Sequence, residues 1–323
     1  MKICYHVSHE QFLPSRLLEL TERAQAAGFH GAMSSDHFKP WSRSQGHSGF
    51  SWSWIGAALA RTRFPIGLIA APGYRYHPVV VAQAAATLAE MFPDRFWLAL
   101  GSGERLNEDV TGAFWPTKSQ RNERLRESAD VIRRLLRGER LSHEGSFTAV
   151  DAELFSRPGR SPALLGAAVS AASAQFVGTF SDGLLTVGSP GIDVAAVIAA
   201  FRASGGDGKP LHVQIAVNWG ATHAAALQGA YEHWRFLALG GDANWELRSP
   251  EDFEAATRHV RPEDMHRSVF VFAEARALVD ELRRYEKLGV DNLYLHQVDL
   301  NQEAFIDMVG REVLPQFDSV PKR

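Results

Sequence analysis

The run KICYHVSH, residues 2–9, decides the fold class. Its apolar residues read as a strand over 2–6, and the residues just after that strand separate two architectures. A doubly wound nucleotide-binding sheet places a glycine-rich turn after its first strand. His6, Val7, Ser8 and His9 contain no glycine, so that architecture is set aside. Beyond the run, short apolar segments alternate with helical periodicity to the end of the chain. Strands are predicted at 2–6, 31–35, 65–71, 96–100, 163–167, 184–187, 211–218 and 292–296, with helices at 14–27, 52–62, 79–91 and 121–137. Strands separated by helices pair in parallel through crossovers. Eight such units in 323 residues predict an α/β chain closed as a (β/α)8 TIM barrel. Insertions follow the second strand (38–50) and the seventh (219–266), and residues 1–323 read as one domain.

Composition narrows the function. The net charge of −3 supplies no basic field for phosphates, which excludes a nucleic-acid partner. No apolar stretch is long enough to cross a bilayer, and the N-terminus lacks the pattern of a secretory leader. A lone Cys4 cannot form an internal disulfide and reads as a small buried residue. These features predict a cytoplasmic protein acting on a small-molecule substrate.

In a barrel of this kind, chemistry sits at the carboxyl ends of the strands. The second strand ends in Ser35, Asp36 and His37. An imidazole there can give or take a proton near neutral pH, and the adjacent carboxylate is expected to orient it or raise its pKa. Trp41 comes next in a loop with no obvious core to fill. The fourth strand runs into Gly101, Ser102, Gly103 and Glu104, where small residues let a ligand approach the backbone, with Asn107 and Glu108 nearby. Arg75 has two readings, contact with an anionic cofactor group or a solvent-facing arginine, and the second is favoured. His6 and His9 lack the i, i+2 spacing that puts two ligands on one strand face, so no metal site is expected.

Taken together, Ser35-Asp36-His37-Phe38 with Pro40-Trp41, Gln45-Gly46-His47, Arg75-Tyr76-His77-Pro78, Gly101-Ser102-Gly103-Glu104 with Leu106-Asn107-Glu108, and Arg124-Leu125-Arg126-Glu127-Ser128 resemble the luciferase-like family of flavin and F420 oxidoreductases. The branch most similar contains F420-dependent glucose-6-phosphate dehydrogenase. The resemblance implies a hydride-transferring oxidoreductase with F420 or FMN as cofactor, and a homodimer. It implies His37, Trp41 and Glu104 as catalytic residues: acid/base on the substrate oxygen, wall of the substrate pocket, and proton donor near the ring. It implies cofactor contacts from Asp36, Ile69, Ala70, Ser102, Asn107, Ala168, Val169 and Ser170, substrate contact from Thr186, and a bulge with a cis peptide within residues 68–71. Two departures stand out. The family's Gly-Gly phosphate segment reads Val169-Ser170, and its substrate-phosphate lysines read Ser189 and Ala255. Without those cations a dianionic sugar phosphate is a poor substrate. An oxygen-using monooxygenase and a binding protein without turnover are the alternatives.

Overall fold

A computed structural model describes residues 1–241 and 243–317. Its strands are β1 (Lys2–Val7), β2 (Ala32–Ser35), β3 (Ile66–Ala70), β4 (Phe96–Leu100), β5 (Leu141–Glu144), β6 (Thr148–Ala152), β7 (Leu164–Ala167), β8 (Leu184–Gly188), β9 (Leu211–Trp219), β10 (Phe270–Phe272) and β11 (Asn292–Gln297). Eight of them, in the order β11-β1-β2-β3-β4-β7-β8-β9, are parallel and close through the β9–β11 pairing, so the predicted (β/α)8 barrel is the fold. The helices used below are α1 (Pro14–Ala26), α2 (Ser51–Arg61), α3 (Pro78–Met91), α4 (Arg105–Glu108), α5 (Lys118–Leu136) and α6 (Ala171–Gly178). Local chemistry sets their starts. Pro14 and Pro78 open α1 and α3, where the missing N–H costs nothing. Thr117 and Gln120 form a reciprocal capping box that opens α5. Among the described residues no helix is long and apolar enough to cross a membrane.

Side chains alternate between the helix layer and the barrel lumen. Outward residues such as Ile3, Leu68, Leu98, Val213 and Leu293 join the main core with the helices. Inward residues form a separate cluster of Cys4, Met33, Trp97, Ala99, Leu165, Leu185 and Tyr294. Trp97 fills the middle of the lumen because Gly67 opposite has no side chain; a Cβ there would lie 1.9 Å from Trp97 Cε2. Cys4 sits in this plug at 2% exposure, and burial pushes its thiol up to about 12, in keeping with a packing role.

Three features depart from the sequence reading. The β5–β6 hairpin has no counterpart among the predicted strands; it climbs the outside of the helix layer, where His143 meets Glu127 and the Thr148 carbonyl meets His77. The short β10 extends the carboxyl end of β9, pairing Phe270 to Phe272 with Val217 to Trp219. The bulge and cis peptide expected within residues 68–71 are overturned. β3 pairs without a slip on both sides, from Ile66–Phe96 to Ala70–Leu100, and no cis peptide bond occurs among the described residues.

Candidate active site

The burial pattern of the barrel outlines a hollow at its carboxyl mouth. Ile69, Gly101, Ala167, Val187 and Gln214 are the lumen-facing residues at one level of β3, β4, β7, β8 and β9, and all five are partly accessible. Their outward neighbours Leu68, Ala70, Leu100, Ala168, Thr186 and Ile215 are buried. Accessible residues inside a ring of buried ones mean open space above the plug. Its wall on this side is small and mostly apolar, and a Cβ added to Gly101 would lie 3.7 Å from that of Ala167. A flat tricyclic ring fits such a wall, because backbone and short side chains leave its face unobstructed.

The opposite rim carries the titratable groups. His37 Nδ1 forms an ion pair with Glu10, whose other oxygen accepts a hydrogen bond from Ser8 Oγ at 2.8 Å. His37 Nε2 faces Glu104 Oε2 at 3.6 Å. Burial works against charge on this imidazole, yet the two carboxylates outweigh it and raise its pKa to about 9. Burial also opposes ionisation of Glu10, but the His37 contact holds that carboxyl down to about 2. Glu104 moves the other way: burial raises its pKa more than His37 lowers it. Trp41 packs edge-on to His37 at 5.5 Å and lies flat against Phe236 at 5.2 Å, so the insertion after β9 braces it. The Trp41 amide donates to Gln45 Oε1, and the His47 amide to the Glu10 carbonyl, which ties the loop after β2 to the loop after β1. His37 and Trp41, from the loop after β2, and Glu104, from the end of β4, therefore gather at one mouth. Glu10 is the member that sequence reasoning misses. It stands two residues past Ser8, beyond the polar groups that mark the strand end, and a charged loop residue gives no sign of its 2% exposure.

Asp36 does not orient His37. Adjacent residues on an extended segment face opposite ways, and Asp36 turns into the helix layer, where Arg75 Nη2 donates to its Oδ2 at 3.1 Å and to its carbonyl at 2.6 Å. The same guanidinium reaches Glu108 through Nε at 3.2 Å and Tyr76 Oη through Nη1 at 2.9 Å. The side chain of Arg75 is 6% exposed, which overturns its reading as a solvent-facing arginine. Asn107 is likewise engaged internally. Its Oδ1 accepts from the amides of Phe38 at 2.8 Å and Lys39 at 3.1 Å, and its Nδ2 donates to Glu104 Oε2 at 3.1 Å. Asn107 thus fixes Glu104 and the first residues after His37 in one bracket. Ser102 lies at the mouth and accepts a hydrogen bond from Lys118 Nζ at 2.7 Å.

The remaining predicted contacts divide by the alternation of the strands. Ile69 faces the hollow; Ala70 and Ala168 turn into the outer core, so only their backbone is available on the inner side. Val169 and Ser170 lead into α6, with the Ser170 hydroxyl accepting from the Ser173 amide at 3.3 Å as its cap. Thr186 is corrected. It shares a face with Leu184, which joins the outer core, and with Gly188, where a Cβ would meet Tyr285; its neighbour Val187 is the residue that looks into the hollow. His6 and His9 part company as their spacing requires: His6 packs at a tilt against His296 at 4.2 Å, and His9 meets the edge of Trp54 at 5.0 Å. Among the described residues no three His, Cys, Asp or Glu side chains group in a way that could hold a metal ion.

Comparison with known proteins bears on the family and the fold. The family described as luciferase-like monooxygenase matches residues 3–292. An F420-dependent glucose-6-phosphate dehydrogenase of Microbacterium testaceum is 32% identical over 328 residues, spanning 98% of this chain and 97% of that protein. The solved structure of an F420-dependent secondary alcohol dehydrogenase in complex with an F420–acetone adduct aligns with a TM-score of 0.89 at 25% identity, over 97% of this chain and 98% of the other. The coenzyme F420-dependent tetrahydromethanopterin reductase of Methanopyrus kandleri shares the fold, with a TM-score of 0.79 at 18% identity over 98% and 99%.

Proposed function

The chain belongs to the luciferase-like monooxygenase family, and we propose that it is an oxidoreductase moving hydride between a deazaflavin, F420, and a small neutral alcohol or carbonyl compound. The observation that carries this reading is the pairing of a small-walled hollow with an imidazole held between two carboxylates on its rim. When bound, the ring gives or accepts the hydride. Ile69, Gly101 and Ala167, with the backbone of Ala168 to Ser170, would hold it. His37 Nε2 would move the proton at the substrate oxygen: protonated, it gives a proton to a carbonyl; unprotonated, it takes one from a hydroxyl. Glu10 keeps the imidazole oriented and sets its charge. Glu104, held by Asn107, manages the proton at the ring edge, and Trp41 shapes the substrate side. FMN is the competing cofactor, since it presents a tricyclic ring of the same shape. We further read the chain as one domain, as a homodimer, and as a cytoplasmic protein.

Titrating F420 and FMN separately into the purified protein decides the cofactor. Replacing His37 by Ala is expected to lower turnover by about 10²-fold or more while the cofactor still binds; unchanged turnover removes His37 from the reaction. Turnover that consumes oxygen, and stops without it, would favour monooxygenation instead.

A further inference from the structure

The level of the hollow described above carries one polar side chain. Ile69, Gly101, Ala167 and Val187 offer hydrocarbon or bare backbone, and Gln214 on β9 completes the set. Strand alternation places it. His212, two residues earlier on the same face, packs into the lumen plug against Trp97 at 4.8 Å, so Gln214 stands one level above the plug. Val187 of β8 is its register partner on one side and Tyr294 of β11 on the other. His212 is buried, whereas Gln214 is partly accessible, as Val187, Ala167, Gly101 and Ile69 are.

The carboxamide is held at one end only. Gln214 Nε2 lies 3.2 Å from His296 Nδ1. Burial lowers the pKa of His296 to about 3, so its ring is neutral. An amide nitrogen has only hydrogens to give, so Nδ1 is the acceptor, and the contact orients the carboxamide. It uses one of the two Nε2 hydrogens. The other hydrogen, and Oε1 with both lone pairs, take no partner among the described residues. One acceptor and one donor, side by side, therefore remain on a side chain with surface open to the hollow.

The rings of F420 and FMN end in the same polar edge, a pyrimidinedione whose imide N–H lies between two carbonyls. Once covered, that edge needs an acceptor flanked by a donor, because polar groups left unpaired in a closed site are costly. Among the five residues at this level, only the side chain of Gln214 offers that pattern. The converse also holds: covered by the carbocyclic edge of the ring, Oε1 would be left without a donor. We propose that Gln214 binds the imide edge of the cofactor ring, its Oε1 accepting from the imide N–H and its free Nε2 hydrogen going to the adjacent carbonyl, with His296 as the residue that positions the amide. This inference rests on the oxidoreductase reading above and holds for F420 and FMN alike. It turns the polar end of the ring toward β9 and leaves the rim of His37 and Glu104 to the substrate and the protons.

The test is a binding measurement that needs no turnover. Whichever of F420 and FMN binds more tightly is compared with its N3-methyl derivative by fluorescence titration, in the wild type and in Gln214→Leu, which keeps the bulk and deletes the amide. Methylation removes the imide N–H and is expected to raise the wild-type Kd about tenfold, the worth of one hydrogen bond. In Gln214→Leu the unmodified cofactor should bind about tenfold more weakly, and methylation should change Kd less than about twofold. Taking the ratio within each protein cancels any loosening of His296. A methyl penalty that persists undiminished in Gln214→Leu overturns the proposal; so does an unchanged Kd with a raised KM for propan-2-ol, which would give Gln214 to the substrate. Should neither cofactor bind the wild type, the oxidoreductase reading fails; binding without a methyl effect sinks this inference alone. If Gln214→Leu does not fold, the 15N signal of the Gln214 side chain in the wild type decides. Movement on saturation with the cofactor and not with its methyl derivative supports the assignment, and equal movement or none refutes it.

Discussion

Replacing Glu10 by Gln keeps the shape of the contact to His37 Nδ1 and removes its charge, so the effect falls on the protonation of His37. In the native site burial opposes the imidazolium, and Glu10 and Glu104 together raise the pKa to about 9. Alcohol oxidation needs the unprotonated ring, so kcat/KM in that direction should climb with pH and level off above about 9. Carbonyl reduction needs the protonated ring and should fall through the same value. At pH 7 only about 1% of His37 is then in the base form, given a pKa two above the pH. An opposite charge at contact distance is worth roughly 4 kcal/mol at an effective dielectric constant of 20, or about three powers of ten in an equilibrium. Glu104, at 3.6 Å from Nε2, remains as the second carboxylate and keeps part of the upward shift. In Glu10→Gln the limb of the oxidation profile should therefore move down by roughly 2 pH or more, so that the rate at pH 7 rises from about 1% of its plateau to about half of it or more. Anaerobic stopped-flow rates from pH 5 to 10.5, with alcohol in limiting amount, measure this. A limb that stays near 9 in the variant would show that Glu10 does not set the charge of the titrating group.

Arg75→Ala leaves Asp36 and Glu108 buried together without their cation. Breaking such a buried network costs about 3–5 kcal/mol, and the fall in Tm should be milder at pH 5, where the carboxyls can take up protons, than at pH 8. Gly67→Ala drives a methyl into Trp97, which His212 and Tyr294 hold from the other side at 4.8 and 5.7 Å. Overpacking of that kind costs about 1–3 kcal/mol in chemical denaturation; a variant of unchanged stability would mean that the lumen plug is loose. Asn107→Ala frees the amides of Phe38 and Lys39 and releases Glu104. It should cost about 1–3 kcal/mol in stability and lower kcat more than it weakens cofactor binding, as measured by fluorescence titration.

The sequence is legible where one interaction dominates. Strands buried on both faces read as continuous apolar runs, and the fourth matches its predicted bounds to the residue at Phe96–Leu100. The β5–β6 hairpin is not legible, because its exposed residues alternate with few apolar ones: Leu141 and Ala149 are buried, while Val150 is exposed and the rest are polar or small. His37 and Glu104 stand out by residue type at or near a strand end, and the family resemblance is what singles out all three of His37, Trp41 and Glu104. Glu10 and Arg75 escape for one shared reason. A charge near a loop reads as solvated until a buried partner is known, and each partner is remote in sequence: His37 for Glu10, Asp36 and Glu108 for Arg75. Asp36 and Thr186 are misplaced for another. Their face depends on counting residues along the strand, and a slip of one residue exchanges lumen for helix layer.

The two carboxyls at the rim show why one imidazole can serve a site that handles protons at two places. Glu10 and Glu104 contact the same ring, yet His37 holds the first down to about 2 while burial pushes the second up. Their contacts differ accordingly: Glu10 pairs with His37 Nδ1 and accepts from the Ser8 hydroxyl, whereas Glu104 accepts from one Asn107 N–H and lies 3.6 Å from Nε2. Two carboxyls driven apart in this way divide into a fixed anion and a group able to carry a proton. A single cation between two equally ionised carboxylates would leave a net negative charge in a mostly apolar hollow, which burial penalises. A proton on Glu104 removes that penalty. Burial thus favours a proton on Glu104, while His37, raised by both carboxylates, is the group that would act on the substrate oxygen in the proposed reaction.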